Sequence, residues 1–203
     1  MDRNIQILEQ YLPPRSSASI AQWINIYQVE LKITRSRQTK LGDYRAPHQG
    51  KPHRISINYN LNPYSFLITL IHEFAHLTCW NKYQFKVKPH GEEWKSEYKI
   101  LMNPWVEENF FPEEIRLGLR SYMNNPFASS CTDLKLMRVL EQYDMPRTDI
   151  YSLESLARGT LFQIKDGRIF TKGDKLRKRF RCTQYLTNRI YLFNPLAKVF
   201  LVS

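Results

Sequence analysis

The stretch NPYSFLITLIHEFAHLTCW, residues 62–80, decides how the rest of this chain is read. Asn62 suits a helix N-cap and Pro63 the first helical turn, where its missing N–H is no loss. Phe66, Leu67, Leu70, Ile71, Phe74 and Ala75 then recur at spacings of three and four, so the predicted helix is largely buried and runs to about Trp80. Within it lies HEFAH. The i, i+4 spacing puts His72 and His76 one turn apart on one face, where two imidazoles can share a metal ion. Catalytic zinc takes three protein ligands and keeps a position for water. Glu73 can reach that water without ligating the metal, take its proton during attack and pass it to a leaving amine. A lone histidine on such a helix reads as a core residue donating to a carbonyl. Two on one face with an adjacent glutamate favour the metal.

A third ligand has to come from elsewhere, and the chain has five histidines in all. His90, in KPHGEEWK, immediately precedes a helix predicted over Glu92–Met102. A loop–helix junction there returns its side chain to the HEFAH face, with Gly91 giving the backbone freedom to aim it. Glu92 or Glu93 is the rival ligand. His48 and His53 flank the loop APHQGKPH and are further alternatives, otherwise solvated.

Upstream, helices are predicted over 4–12 and 16–28, the second with Ile20, Trp23, Ile24 and Tyr27 on one face. Val29–Thr34 reads as a strand, and Lys40–Arg45 and Arg54–Tyr59 as short extended segments. Arg54–Tyr59 is the strand expected to lie at the sheet edge beside the metal. An extended peptide could pair with it there through the backbone, giving low cleavage specificity. Downstream, helical patterns cover about 113–124 and 132–143. From Thr160 onward short β-type runs alternate with DG, GD and TN turns. The fold class is therefore α+β: a helical core with a small sheet over 1–112, a helical connector over 113–150, and a small antiparallel β module over 151–203.

HEFAH followed by PHGEEWK resembles the SprT-like family, whose pattern is HExxH with a later His-Gly-x-x-Phe/Trp element. TKLGDYR, RISINYNLNP and FLITLIHEFAHL are similar to that family's run from a Gly-containing strand through a second strand to the helix. The likeness spans about residues 20–105. It implies a zincin-type core in which His72, His76 and His90 hold Zn2+ and Glu73 is the base, hence a zinc metallopeptidase with protein substrates. The Spartan-type members, similar in this core, degrade proteins crosslinked to DNA. This chain departs from the pattern in its tail, where only Cys182 remains in place of a cysteine zinc ribbon.

The formal net charge of +11 is unevenly placed: residues 151–203 carry eleven Lys/Arg against three Asp/Glu. A basic tail on a nearly neutral body points to a polyanion such as DNA. Strand alternation sends Arg177, Arg179 and Arg181 to one face and Leu176, Phe180 and Cys182 to the other, with Lys178 breaking the pattern. Phe170, Tyr185, Tyr191 and Phe193 could stack on bases. A module this small, however, is expected to need them in its core. The competing readings are a nucleic-acid-binding protein whose zinc site is structural or vestigial, and a zinc hydrolase of another class. A deaminase is disfavoured because no HxE…CxxC pattern occurs. Cys79, Cys131 and Cys182 are sparse and unpaired in sequence, there is no long apolar run, and the N-terminus lacks a secretory pattern. The expectation is a cytoplasmic protein with reduced thiols.

Overall fold

A computed structural model of the chain describes residues 3–37, 39–126, 133–145 and 149–202. Cys131 and the start of the 132–143 helical pattern lie outside the described residues. The chain forms two compact units, Met1–Asp144 and Met145–Ser203. The architecture is α+β, as the sequence patterns predict.

The first unit runs α1 (Arg3–Glu9), α2 (Ser17–Ile26), β1 (Val29–Thr34), β2 (Gly42–Arg45), β3 (His53–Asn58), α3 (Pro63–Tyr83), α4 (Glu92–Glu107), α5 (Glu113–Met123) and α6 (Leu134–Glu141). α3 is its axis. Fourteen of its twenty-one residues are buried, so the helix has no wide polar face and is enclosed by other elements. The T-shaped pairs of Trp23 with Phe74 and with Trp105 join α2, α3 and α4. The Lys82 ammonium, 2.6 Å from the buried Glu97 carboxylate, ties α3 to α4. α5 and α6 add Ile115, Leu119, Tyr122, Leu136 and Leu140 to the same core.

The sheet order is β1-β3-β2, with β1 parallel and β2 antiparallel to β3. β3 is therefore the central strand, which corrects the expectation that Arg54–Tyr59 would be the edge beside the metal. The edge on that side is β2. The reason is residue chemistry: Ile55 and Ile57 are buried against the core and β3 needs partners on both sides. β2, with Gly42, Asp43 and Arg45, is short and polar enough to be an edge. α4 also differs from its predicted end at Met102. It continues through Pro104, because burial of Trp105 and Val106 in the last turn outweighs one lost hydrogen bond.

The second unit is a six-stranded antiparallel sheet in the order β4-β9-β5-β6-β7-β8. Its strands are β4 (Tyr151–Ser152), β5 (Leu161–Gln163), β6 (Ile169–Leu176), β7 (Arg179–Gln184), β8 (Ile190–Phe193) and β9 (Lys198–Leu201). Leu153, Phe162, Phe170, Cys182 and Val199 form its core, with Tyr191 and Phe193 packed on Phe170 at ring separations of 5.3 and 4.9 Å. The Lys172 amine is buried there too, held by the carbonyls of Glu154 and Leu156 and lying over the Phe180 ring. Among the described residues no helix is long and apolar enough to cross a membrane.

Asn62 joins local capping to tertiary packing. Its side-chain oxygen accepts from the Ser65 amide at 2.9 Å, and its nitrogen donates to the Leu140 carbonyl and the Asp144 carboxylate at 3.0 and 2.7 Å. Asn62→Ala should lower stability by about 2 kcal/mol, read by urea unfolding. Asn62→Ser, which keeps the cap acceptor, should lose clearly less; equal losses would show that capping contributes nothing measurable.

Candidate metal centre

α3 presents His72, Glu73 and His76, and the loop before α4 brings back His90. The Nε2 atoms of His76 and His90 each stand 3.2 Å from Nε2 of His72, and the potential ligand atoms all lie within 4.8 Å of one another. Metal–nitrogen bonds of about 2.0–2.1 Å in a tetrahedral site separate their ligand atoms by about 3.3 Å, so the spacing fits a small divalent ion. Burial lowers the basicity of all three rings: His72 well below the ordinary histidine value, His76 to about 3, and His90 in the same direction. They are neutral near pH 7, the form that ligates. Neutral rings converging on one point leave lone pairs facing each other, and a cation satisfies them.

The aiming of His90 differs from the expectation. Gly91 has an ordinary φ of −69°, and His90 itself takes the left-handed conformation at φ 58°. That conformation is strained for a side chain with a Cβ. Gly91 matters through close approach, since a Cβ there would sit 3.1 Å from both the Lys88 carbonyl oxygen and the Glu93 carboxylate. Trp94, 1 % exposed, lies against all three rings at centroid separations of 4.6, 5.4 and 4.7 Å from His72, His76 and His90. One turn of α4 thus supplies both the entry for His90 and the apolar backing for the cluster.

The rival ligands stand elsewhere. Glu92 is exposed and paired with Lys95, and neither it nor Glu93 joins the cluster. His48 forms an isolated bridge with Lys51 in an exposed loop. His53 Nδ1 is 2.9 Å from the Tyr44 hydroxyl, and the Tyr44 ring lies parallel to His76 at 6.4 Å.

Beside the three imidazoles opens a cavity of about 320 Å³, walled by Thr39–Tyr44 and floored by His72, Glu73, His76 and His90. Glu73 is 6 % exposed. Burial raises its carboxyl to about 8 and the nearby Asp43 charge adds to this, while Arg37, Lys40 and the Tyr44 amide pull the other way. Gly42 lies flush against it: a Cβ at that position would come 2.4 Å from Glu73 Oε1 and 2.8 Å from the Thr69 methyl. Gly42 and Tyr44 escaped the sequence reading, which took 40–45 for a strand and had no means of placing it against the helix motif.

In the second unit, Arg179 and Arg181 are exposed on β7 with Phe180 and Cys182 facing inward. Arg177 and Lys178 form the two-residue turn between β6 and β7, with Arg177 at φ 50°. That corrects the expectation of three arginines along one strand face. Leu176 is also half exposed rather than inward. Phe170 is buried, with Tyr191 and Phe193 against it, whereas Tyr185 is exposed.

The histidine cluster should take up one equivalent of a divalent ion. At a free ion concentration of a thousand dissociation constants it should gain about 4 kcal/mol of stability. Metal content by mass spectrometry and unfolding temperature with and without chelator measure this. His90→Ala should abolish both the uptake and the shift; unchanged uptake would remove His90 from the site.

Comparison with known proteins gives one finding for the core. The SprT-like family model matches residues 16–109, a span that contains the sheet, all of α3 and α4, and the three histidines. Searches of curated proteins and of solved structures return no match. Over residues 16–109, a little under half of the chain, the sequence matches the SprT-like family model, which suggests a metallopeptidase-like domain there.

Proposed function

We propose that this chain is a zinc-dependent endopeptidase acting on proteins, with Glu73 as general base and His72, His76 and His90 as the metal ligands. The observation that carries this reading is the placement of Glu73. A buried carboxylate stands beside three converging imidazoles at the floor of an open cavity. A structural zinc site closes with four protein ligands; three histidines facing a cavity instead suit a site that admits water and substrate. When bound, the ion supplies Lewis-acid activation of a water and of the scissile carbonyl.

The residues of the chain do the rest. Glu73 accepts the proton of the attacking water and returns it to the departing amine, and an affinity raised by burial keeps that proton exchange near neutral pH. β2, the sheet edge beside the cavity, offers backbone groups to an extended peptide. Such pairing reads main chain rather than side chains, so cleavage is broad in sequence and favours unfolded or extended segments. A cytoplasmic location fits the sparse cysteines. Glu73→Gln should cut hydrolysis of a denatured protein by at least about 10²-fold while metal content stays at one equivalent. Equal hydrolysis by wild type and Glu73→Gln would sink the peptidase reading.

DNA is the second partner that the reading includes. The tail carries eleven basic against three acidic residues, and Arg179 and Arg181 stand exposed on β7 beside the Arg177–Lys178 turn. Protein substrates held on DNA would then be brought to the same molecule. Binding of a labelled single-stranded oligonucleotide, followed by anisotropy between 50 and 200 mM salt, should weaken steeply. The Arg179→Gln, Arg181→Gln double variant should lower the slope of log affinity against log salt by about 1.4. An unchanged slope would place any DNA contact away from β7.

A further inference from the structure

The segment leading into β2 is held by a side-chain clasp centred on Arg37 and Asn58. Arg37 donates from Nε to Asn58 Oδ1 at 2.8 Å, from Nη1 to Ser56 Oγ at 3.0 Å, and from Nη2 to the Ser56 carbonyl at 3.2 Å. Among the described residues it has no carboxylate within ion-pairing distance, so its fork of donors is spent on neutral acceptors. Asn58, 1 % exposed, completes the lock: its amide nitrogen donates to the carbonyls of Arg37 and Lys40 at 3.2 and 2.9 Å. The Asn58 main-chain N–H donates in turn to the Leu41 carbonyl at 2.9 Å. Three carbonyls of one loop, at positions 37, 40 and 41, are thus tied to a single residue at the end of the central strand.

The loop leads directly into the wall of the cavity. Gly42 begins β2 with its main chain flush against the Glu73 carboxylate, and the Tyr44 amide donates to that carboxylate. β2 pairs with β3 over four residues and, among the described residues, has no strand on its other side. So short an edge strand needs a second anchor to hold its register, and the clasp sits at its entry.

We propose that Arg37 and Asn58 are positioning residues for the general base: they hold Gly42 and Tyr44 against Glu73 and so fix where its carboxylate points. This rests on the peptidase reading for its catalytic half, whereas its structural half stands without it. A base displaced by a fraction of an ångström to an ångström loses roughly ten- to a hundredfold in rate.

The test compares wild type, Arg37→Met, Arg37→Lys, Gly42→Ala and Glu73→Gln, with Lys32→Met on the exposed side of the same sheet as a control. In metal-loaded protein, amide exchange over residues 39–45 should accelerate at least tenfold in Arg37→Met and less in Arg37→Lys, with α3 and metal content unchanged. kcat should fall about tenfold or more at constant KM in Arg37→Met and partly recover in Arg37→Lys. Because both changes act through β2 on one carboxylate, Arg37→Met combined with Gly42→Ala should lose less than the product of the single losses. Arg37→Met should also cost nothing further in a Glu73→Gln background. Lys32→Met should match wild type throughout.

Unchanged exchange over 39–45 overturns the proposal, and so does faster exchange with kcat intact. Loss of metal or of fold in step with the rate, in Arg37→Met and Arg37→Lys alike, overturns it as well, since the pair would then be merely structural. Should wild type cleave nothing, the peptidase reading fails separately. Exchange at the Tyr44 amide, whose acceptor is Glu73, then decides the clasp alone.

Discussion

Placing Glu73 and His72 on a helix that is buried on nearly every side sets the terms for everything around them. A carboxylate taken out of water is costly unless polar partners meet it, and two imidazoles pointing inward need something to receive their lone pairs. Each neighbouring element answers one of these demands. α4 returns His90 to the same point and backs the three rings with Trp94. The loop before β2 and the strand itself bring a main-chain amide and two nearby cations to the carboxylate. The cavity is what remains between them.

The apolar periodicity of 62–80 states that α3 is buried, and the strand from Val29 to Thr34 has the same ends in the fold as in its β-branched pattern. HEFAH carries its own geometry, because i, i+4 spacing on a helix is a distance. These features are legible because each depends on a repeat within one element. The edge of the sheet is not of that kind. Whether β2 or β3 lies outermost depends on which strand can bury both faces and both edges, and RISINY alone reads equally well in either place. The left-handed conformation falls on His90 rather than Gly91 for a related reason. The turn preceding α4 is set by the Lys88 carbonyl that crowds Gly91, a contact no residue propensity anticipates. Arg177 shows the same limit in the tail: a run of alternating residues looks like a strand even where two of them form its turn.

The uneven charge has a structural counterpart. The second unit buries a compact set of aromatic and aliphatic side chains and one lysine, which leaves most of its basic residues at the surface by default. In the first unit the cations near the cavity are engaged: Lys40 and Arg45 pair with Asp43, and Arg37 is spent on the clasp. Net positive charge is therefore densest in residues 151–203, while the cations beside the cavity are engaged with neighbouring groups of its wall.

How tightly so buried a carboxyl holds its proton depends on where its neighbours come from. Desolvation and Asp43 raise its proton affinity, and Arg37, Lys40 and the Tyr44 amide lower it; every one of these four residues lies between positions 37 and 44. The carboxylate belongs to α3, yet apart from burial itself every group that tunes its proton affinity comes from a segment some thirty residues earlier. Gly42 makes that possible, since any side chain there would occupy the space the carboxylate fills. The Gly-containing strand and the HExxH helix are thus two halves of one contact. A chain that kept the helix motif with a bulkier residue at position 42 would retain its three imidazoles but would have to displace the Glu73 carboxylate or the strand.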